Sequence, residues 1–186
     1  PRRISARGAR VVTNARPLWR DGEGWAIDSV PTVAFGADER DTVAMLQRVA
    51  GAMLRSDGTY AVADGGSSQV KYFDGGGRFL SAVGRSGQGP GEYEYIAWLL
   101  ACGGDSAYVS DIGNNQVSVL DAGGRLVRRF RLMTSEVAAT PFSTACSRSG
   151  HIVTSGWGTT PRDVTPSRPY RPQVAVDLSR ADGGVR

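Results

Sequence analysis

Apolar residues along this chain gather in short runs of about five, each closed by glycine, aspartate or serine. Val49–Leu54, 59–64, Gln69–Phe73 and Phe79–Val83 are rich in aliphatic, β-branched and aromatic residues, and 56–58, 65–68 and 74–77 lie between them. Runs of this length predict strands, and the Gly, Asp and Ser joints supply the positive-φ positions that tight hairpins need. The joints leave no room for helices between strands, which excludes a Rossmann fold or an α/β barrel. No apolar run approaches the ~18 residues that span a bilayer as a helix.

The same pattern recurs. Residues 62–83 superpose on 109–130 at an offset of 47 with nine identities in 22 positions, among them Asp64/Asp111, Gly66/Gly113, Gln69/Gln116, Asp74/Asp121 and Arg78/Arg125. A weaker third copy, at an offset of 44, aligns Ala145, Cys146, Ile152 and Val153 with Ala101, Cys102, Tyr108 and Val109. Gln173 and Val174 then fall 57 beyond Gln116 and Val117, so 13 residues are inserted between two strands, within 156–173.

Four strands per repeat of ~40–50 residues is the blade pattern of a β-propeller. The predicted fold is all-β, with four-stranded antiparallel blades in an incomplete ring. Blade 1 spans 49–95, blade 2 spans 96–140 and an incomplete blade 3 spans 141–186. A strand and connection at 21–48 precede them, after a basic arm at 1–20. Six blades of ~45 residues need roughly 270 residues, so 186 residues hold about half a ring. An open half-ring leaves apolar faces and strand edges to be covered by further chain or by assembly.

The stretches DGTYAVAD (57–64), QVKYFDGGGRFLSAVG (69–84) and GQGPGEY (87–93) resemble bacterial six-bladed propellers related to NHL repeats, over roughly residues 25–132. The resemblance implies the fold and, through the family's habit of completing its last blade with an N-terminal strand, a strand within 25–35. It implies no single activity, because such propellers host unrelated sites.

The formal charge of +4 is unevenly placed. Arg2, Arg3, Arg7, Arg10, Arg16 and Arg20 all precede Asp21, the first acidic residue, and the other 166 residues carry 16 basic against 18 acidic groups. Lys71 is the only lysine among 22 basic residues. So strong a preference for arginine reads as compositional bias, which weakens any phosphate-recognition argument. The arm also lacks a recognition helix or interleaved aromatics, so nucleic acid is not an expected partner. It suits an anionic membrane surface or an acidic protein, or else a plain terminus.

The candidate chemistry is thin. In 84–91, Gly89 is followed by Pro90 where a phosphate loop needs Lys and Ser or Thr, so the segment is expected to be an interblade turn. His151, the only histidine, is expected as a rim residue at the start of the second strand of blade 3. One His and two distant Cys make no zinc site, and Cys102 and Cys146 are expected as reduced, buried thiols. Asp64 and Asp111 begin DGGSSQ and DIGNNQ, which read as Asx turns and not as calcium loops. No catalytic residue, metal or cofactor is expected.

The insertion carries Trp157, Arg162, Arg168, Tyr170, Arg171 and four prolines. Those types favour protein contact: proline lowers the ordering cost of an extended loop, and Trp, Tyr and Arg are frequent interface anchors. The expectation is therefore a non-enzymatic, propeller-type scaffold subunit. It would lie outside the cytoplasm, in a periplasm, and stabilise a larger membrane-bound complex, such as a photosynthetic or respiratory one. Its contacts would be Arg2, Arg3, Arg7 and Arg10 of the arm and the insertion. The rival readings are a propeller that binds a peptide or glycan at its axial funnel, and a hydrolase or lyase with His151 beside paired carboxylates.

Overall fold

The computed structural model describes residues 2–6, 9–13, 22, 24–102, 104–131, 141–146, 151–158 and 173–180, and for 2–6, 9–13, 141–144, 151, 153–158 and 173–180 it gives the backbone. The chain divides into two units, Pro1–Thr32 and Val33–Arg186.

In the first unit, β1 (Arg2–Ala6) and β2 (Ala9–Thr13) form an antiparallel pair with Ile4 opposite Val11 and Arg3 opposite Val12. The basic arm thus contains a hairpin, which the weight of arginine in its composition obscured. Residues 25–35 join no ladder among the described residues. Asp28 Oδ1 accepts the Val30 N–H at 3.3 Å and bends the chain, and Pro31 has no N–H to give to a ladder. Trp25, Ile27 and Val30 stand exposed along it.

The second unit is built from sheets. β3 (Val49–Leu54), β4 (Tyr60–Asp64), β5 (Gln69–Phe73) and β6 (Phe79–Val83) form the first four-stranded antiparallel blade in chain order. A short connection follows, with β7 (Arg85–Ser86) parallel to β8 (Glu92–Tyr93). β9 (Ile96–Ala101), β10 (Ala107–Asp111), β11 (Gln116–Leu120) and β12 (Leu126–Phe130) form the second blade. β13 (Pro141–Cys146), β14 (His151–Gly158) and β15 (Gln173–Arg180) form a three-stranded sheet. These sheets do not close into a ring among the described residues.

Alternation along the strands explains how the blades stack. Ala61 opposite Tyr72 and Ala63 opposite Val70 join Met53 on one face of the first blade, and they pack against Ile96, Leu99, Ala107, Val109 and Leu120 of the second. The other face of the second blade presents Trp98, Tyr108, Val117 and Val119, which pack with Ile152 of β14. First strands lie next to first strands, β3 by β9 and β9 by β13. Gly51 is where β3 and β9 approach most closely: a Cβ there would stand 2.9 Å from Leu99 N and 3.0 Å from Leu99 O. The opposite face of the first blade is covered by 33–47, with Phe35 stacked on Phe73 at 4.4 Å and tilted against Tyr60 at 5.3 Å.

Two features of the third sheet bear on function. β14 and β15 pair over eight positions, from His151 opposite Arg180 to Gly158 opposite Gln173, whereas β4 and β5 pair over five. Three of those pairs lie beyond Ser155, the repeat equivalent of Asp111, so the ribbon extends ~10 Å further than its counterparts. Cys102 and Cys146 are joined as a disulfide with Cα atoms 5.2 Å apart, and both are half-buried. The expectation of reduced, buried thiols is therefore corrected. Equivalent positions on adjacent first strands fall within bonding reach, a spacing that the 44-residue separation does not reveal.

Candidate functional site

The two buried acids of the blades, Asp64 and Asp111, sit at the entry points of the first strands. Asp64 is wholly buried at the end of β4. Its Oδ1 accepts the N–H groups of Gln47 (3.2 Å), Arg48 (3.1 Å) and Gly66 (3.1 Å), and its Oδ2 accepts the Ser67 hydroxyl (2.8 Å). Lys71 Nζ lies 3.3 Å from Asp64 Oδ2 and donates to Met45 O at 2.5 Å. Burial pushes the Asp64 carboxyl up, but the hydrogen bonds from Arg48, Ser67, Gly66 and Gln47 outweigh it and hold the group at about 2. Asp111 repeats the arrangement, accepting from Glu94 N (2.9 Å), Tyr95 N (2.8 Å), Gly113 N (3.1 Å) and Asn114 Nδ2 (2.6 Å).

Each aspartate thus pins the backbone that leads into its own blade's first strand and closes the turn after the second. The Asx-turn reading of these two positions accounts for only part of their bonding. Ser68 and Asn115, with φ of 55° and 50°, complete the equivalent turns.

Further ties cross from the first blade to the second. The Arg48 guanidinium donates to Gly65 O (2.8 Å) and Ile96 O (3.4 Å) and lies 4.2 Å over the Tyr95 ring. At the other end of β3, Arg55 donates to Ala122 O, while Ser56 donates from N (2.8 Å) and Oγ (2.5 Å) to the Asp105 carboxylate. Arg55 also sits 5.5 Å over Tyr72, whose hydroxyl burial pushes up to about 12. Cys102 is the repeat equivalent of Arg55, so the disulfide occupies the place in the next seam that these polar ties hold in the first.

The glycine-rich connection folds around its own glutamate. Glu92 accepts from Gly89 N (2.8 Å) and Arg85 Nε (2.8 Å), and Asn114 Nδ2 donates to Gly87 O (3.0 Å). The backbone hydrogen bond from Gly89, then Arg85, lowers the Glu92 carboxyl. Residues 84–91 lie in the interblade connection that runs from β6 through β8 to β9.

The sequence-predicted contact residues fall into two groups. Arg2 and Arg3 lie on β1 and Arg10 on β2, where Arg10 stands opposite Ser5. Trp157 lies on β14 opposite Val174, in the extended part of the ribbon. Arg7, Arg162, Arg168, Tyr170 and Arg171 lie outside the described residues. His151 opens β14.

Arg48, Arg55 and Glu92 were not singled out by sequence reasoning. Lys71 carried a signal, because a lone lysine between Val70 and Tyr72 in a strand is placed for burial with a counter-charge. On the outer strands, Leu80 and its repeat equivalent Val127 are exposed, each two residues after an exposed arginine, Arg78 or Arg125. A cleft of about 590 Å³ opens between 33–44 and Gly77–Phe79, with Phe35 and Phe79 in its wall and Asp38, Asp41 and Arg78 among its polar lining.

Comparison with known proteins agrees with the sheet architecture. Residues 46–147 match a family model described as DUF5128, 6-bladed beta-propeller. A solved structure of a candidate exported protein from Bacteroides fragilis superposes with a TM-score of 0.57 at 17% identity, covering 82% of this chain and 40% of that one. A protein of unknown function from Bacteroides caccae gives a TM-score of 0.45 at 17% identity, covering 75% of this chain and 47% of its own. The chain therefore spans less than half the length of these two structures. No curated protein matches it.

Proposed function

The chain belongs to the DUF5128 family of six-bladed β-propellers, and on that premise we propose that it is a non-enzymatic scaffold subunit of an extracytoplasmic assembly. The observation that carries this reading is the use made of its buried polar groups. Asp64, Lys71 and Asp111, joined by the half-buried Asn114, are each engaged with backbone or with one another in holding strand entries. Such bonding favours a rigid platform, and the described surface adds elements suited to contact. These are the arginine-bearing hairpin, the extended β14–β15 ribbon with Trp157, and the exposed Leu80 and Val127.

Two observations support a position outside the cytoplasm. The Cys102–Cys146 disulfide belongs to an oxidising compartment, and the Bacteroides fragilis relative is described as a candidate exported protein. The arginines of the arm then suit an anionic lipid surface or an acidic subunit, at ~1 kcal/mol per cation near such a surface. A membrane-bound energy-converting complex, photosynthetic or respiratory, is one assembly of this kind.

A ligand-binding propeller is the second reading. The aromatic cleft of about 590 Å³ favours it, although the cleft borders the outer strand β6 and not the first strands that would line an axial funnel. The test is the particle size of the protein in gently solubilised native extract, with and without reversal of Arg2, Arg3, Arg7 and Arg10 to Glu. The scaffold reading expects a large particle that the reversal shrinks. A turnover abolished by His151→Ala would overturn it.

A further inference from the structure

The seams on the two sides of the second blade are fastened differently. Toward the first blade, the fastening is non-covalent: Arg48 donates to Ile96 O, Arg55 to Ala122 O, and Ser56 to Asp105. Toward β13–β15, the described contacts are Ile152 set among Trp98, Tyr108, Val117 and Val119, together with the Cys102–Cys146 bond. Cys102 directly follows the first strand of the second blade and Cys146 ends that of the third, so the bond ties the two at repeat-equivalent points. The third copy also carries Ser155 where the first two have Asp64 and Asp111, and a hydroxyl there replaces the carboxylate that pins the strand entry.

We propose that the Cys102–Cys146 disulfide is a redox-sensitive clasp that holds the β13–β15 sheet on the second blade and releases it on reduction. Neither cysteine is fully buried, so a small dithiol reaches the bond. A thiolate of the reductant attacks one Sγ, breaking the bond and forming a mixed disulfide while the other cysteine leaves as a thiolate. The reductant's second thiol resolves the mixed disulfide, leaving two cysteine thiols after protonation and the reductant as its own disulfide. Breaking the crosslink restores chain freedom to the open state. Its effect falls on β13–β15, because the first two blades keep their own ties. Release uncovers Trp98, Tyr108, Val117 and Val119, an apolar face that is otherwise covered. This inference concerns the seam and does not depend on the scaffold reading.

The experiment is hydrogen exchange with mass-spectrometric readout on the whole chain, oxidised and after dithiothreitol, with a Cys102→Ala/Cys146→Ala variant run without reductant. Reduction and the double variant are both expected to raise exchange in Pro141–Cys146 and His151–Gly158 at least ~10-fold, with Tyr60–Asp64 and Gln69–Phe73 unchanged within about twofold. Re-oxidation restores protection. Unaltered exchange in β13 and β14 would overturn the proposal, as would an equal rise in β4 and β5, or two free thiols in the untreated protein.

Discussion

Asp64 and Lys71 form the most deeply buried ion pair described in the chain, and the two partners are not equivalent. Replacing Asp64 with Ala strips acceptors from Gln47, Arg48, Gly66 and Ser67 and leaves the ammonium group unpaired. Asp64→Ala should cost ~3–5 kcal/mol by urea unfolding. Lys71→Met leaves the carboxylate its backbone donors and fills similar space, so it should cost clearly less. Equal losses would show that the pair, and not the strand-entry clamp, is what matters.

The same clamp sets an acid response. The folded Asp64 carboxyl lies at about 2 against an ordinary 3.8. Its contribution of roughly 2 kcal/mol is complete above the ordinary value and is lost as pH falls from there through about 2. Unfolding curves between pH 5 and 2, values chosen to bracket that window, should be flatter for Asp64→Asn than for the native chain; parallel curves would contradict the clamp. In the sequence, Asp64 and Asp111 were visible as turn residues because Asp before Gly is a local signal. Their long-range acceptance from 47–48 and 94–95 was not, since it depends on where the strand entry passes.

β3 and β9 meet along Gly51, which leaves no volume for a side chain against the Leu99 backbone. Gly51→Ala should destabilise the protein by ~1–3 kcal/mol in thermal or urea unfolding, through displaced strands. Gly84→Ala should act similarly, since it combines a φ of 98° with a Cβ position 2.7 Å from the Tyr93 ring. A neutral Gly51→Ala would mean that the two first strands are not packed this closely. The strands of the first two blades were legible because apolar runs and Gly/Asp joints repeat at a constant offset. The third sheet was legible as an interrupted copy. In 25–35 the alternation of Trp25 and Ile27 suggested a strand, and these residues join no ladder among the described ones. The disulfide was hidden for a different reason: sequence shows equivalence between repeats, not the distance between their first strands.

A net charge of +4 and a 47-residue repeat describe two different parts of the molecule, an arginine-bearing hairpin and a near-neutral stack of blades. The propeller fold was readable from the repeat because each blade can bury its faces only against a neighbour. The proposed contact segments were readable only as composition, since no spacing rule tells which partner an arginine or a proline-rich insertion meets. In the structure Arg2, Arg3 and Arg10 lie on a paired β1–β2 arm, and Trp157 lies on a ribbon that extends beyond its counterparts. The structure also shows that the buried acids and the lone lysine hold strand entries together.

The central claim is that this platform works as part of something larger. It is tested most directly by the native mass of the particle that contains the protein, expressed at its own locus and released in mild detergent. A discrete particle well above the protein's own mass is expected, shifting downward when Arg2, Arg3, Arg7 and Arg10 are reversed to Glu. A single species at the protein's own mass, in detergent and in soluble fractions alike, would contradict it.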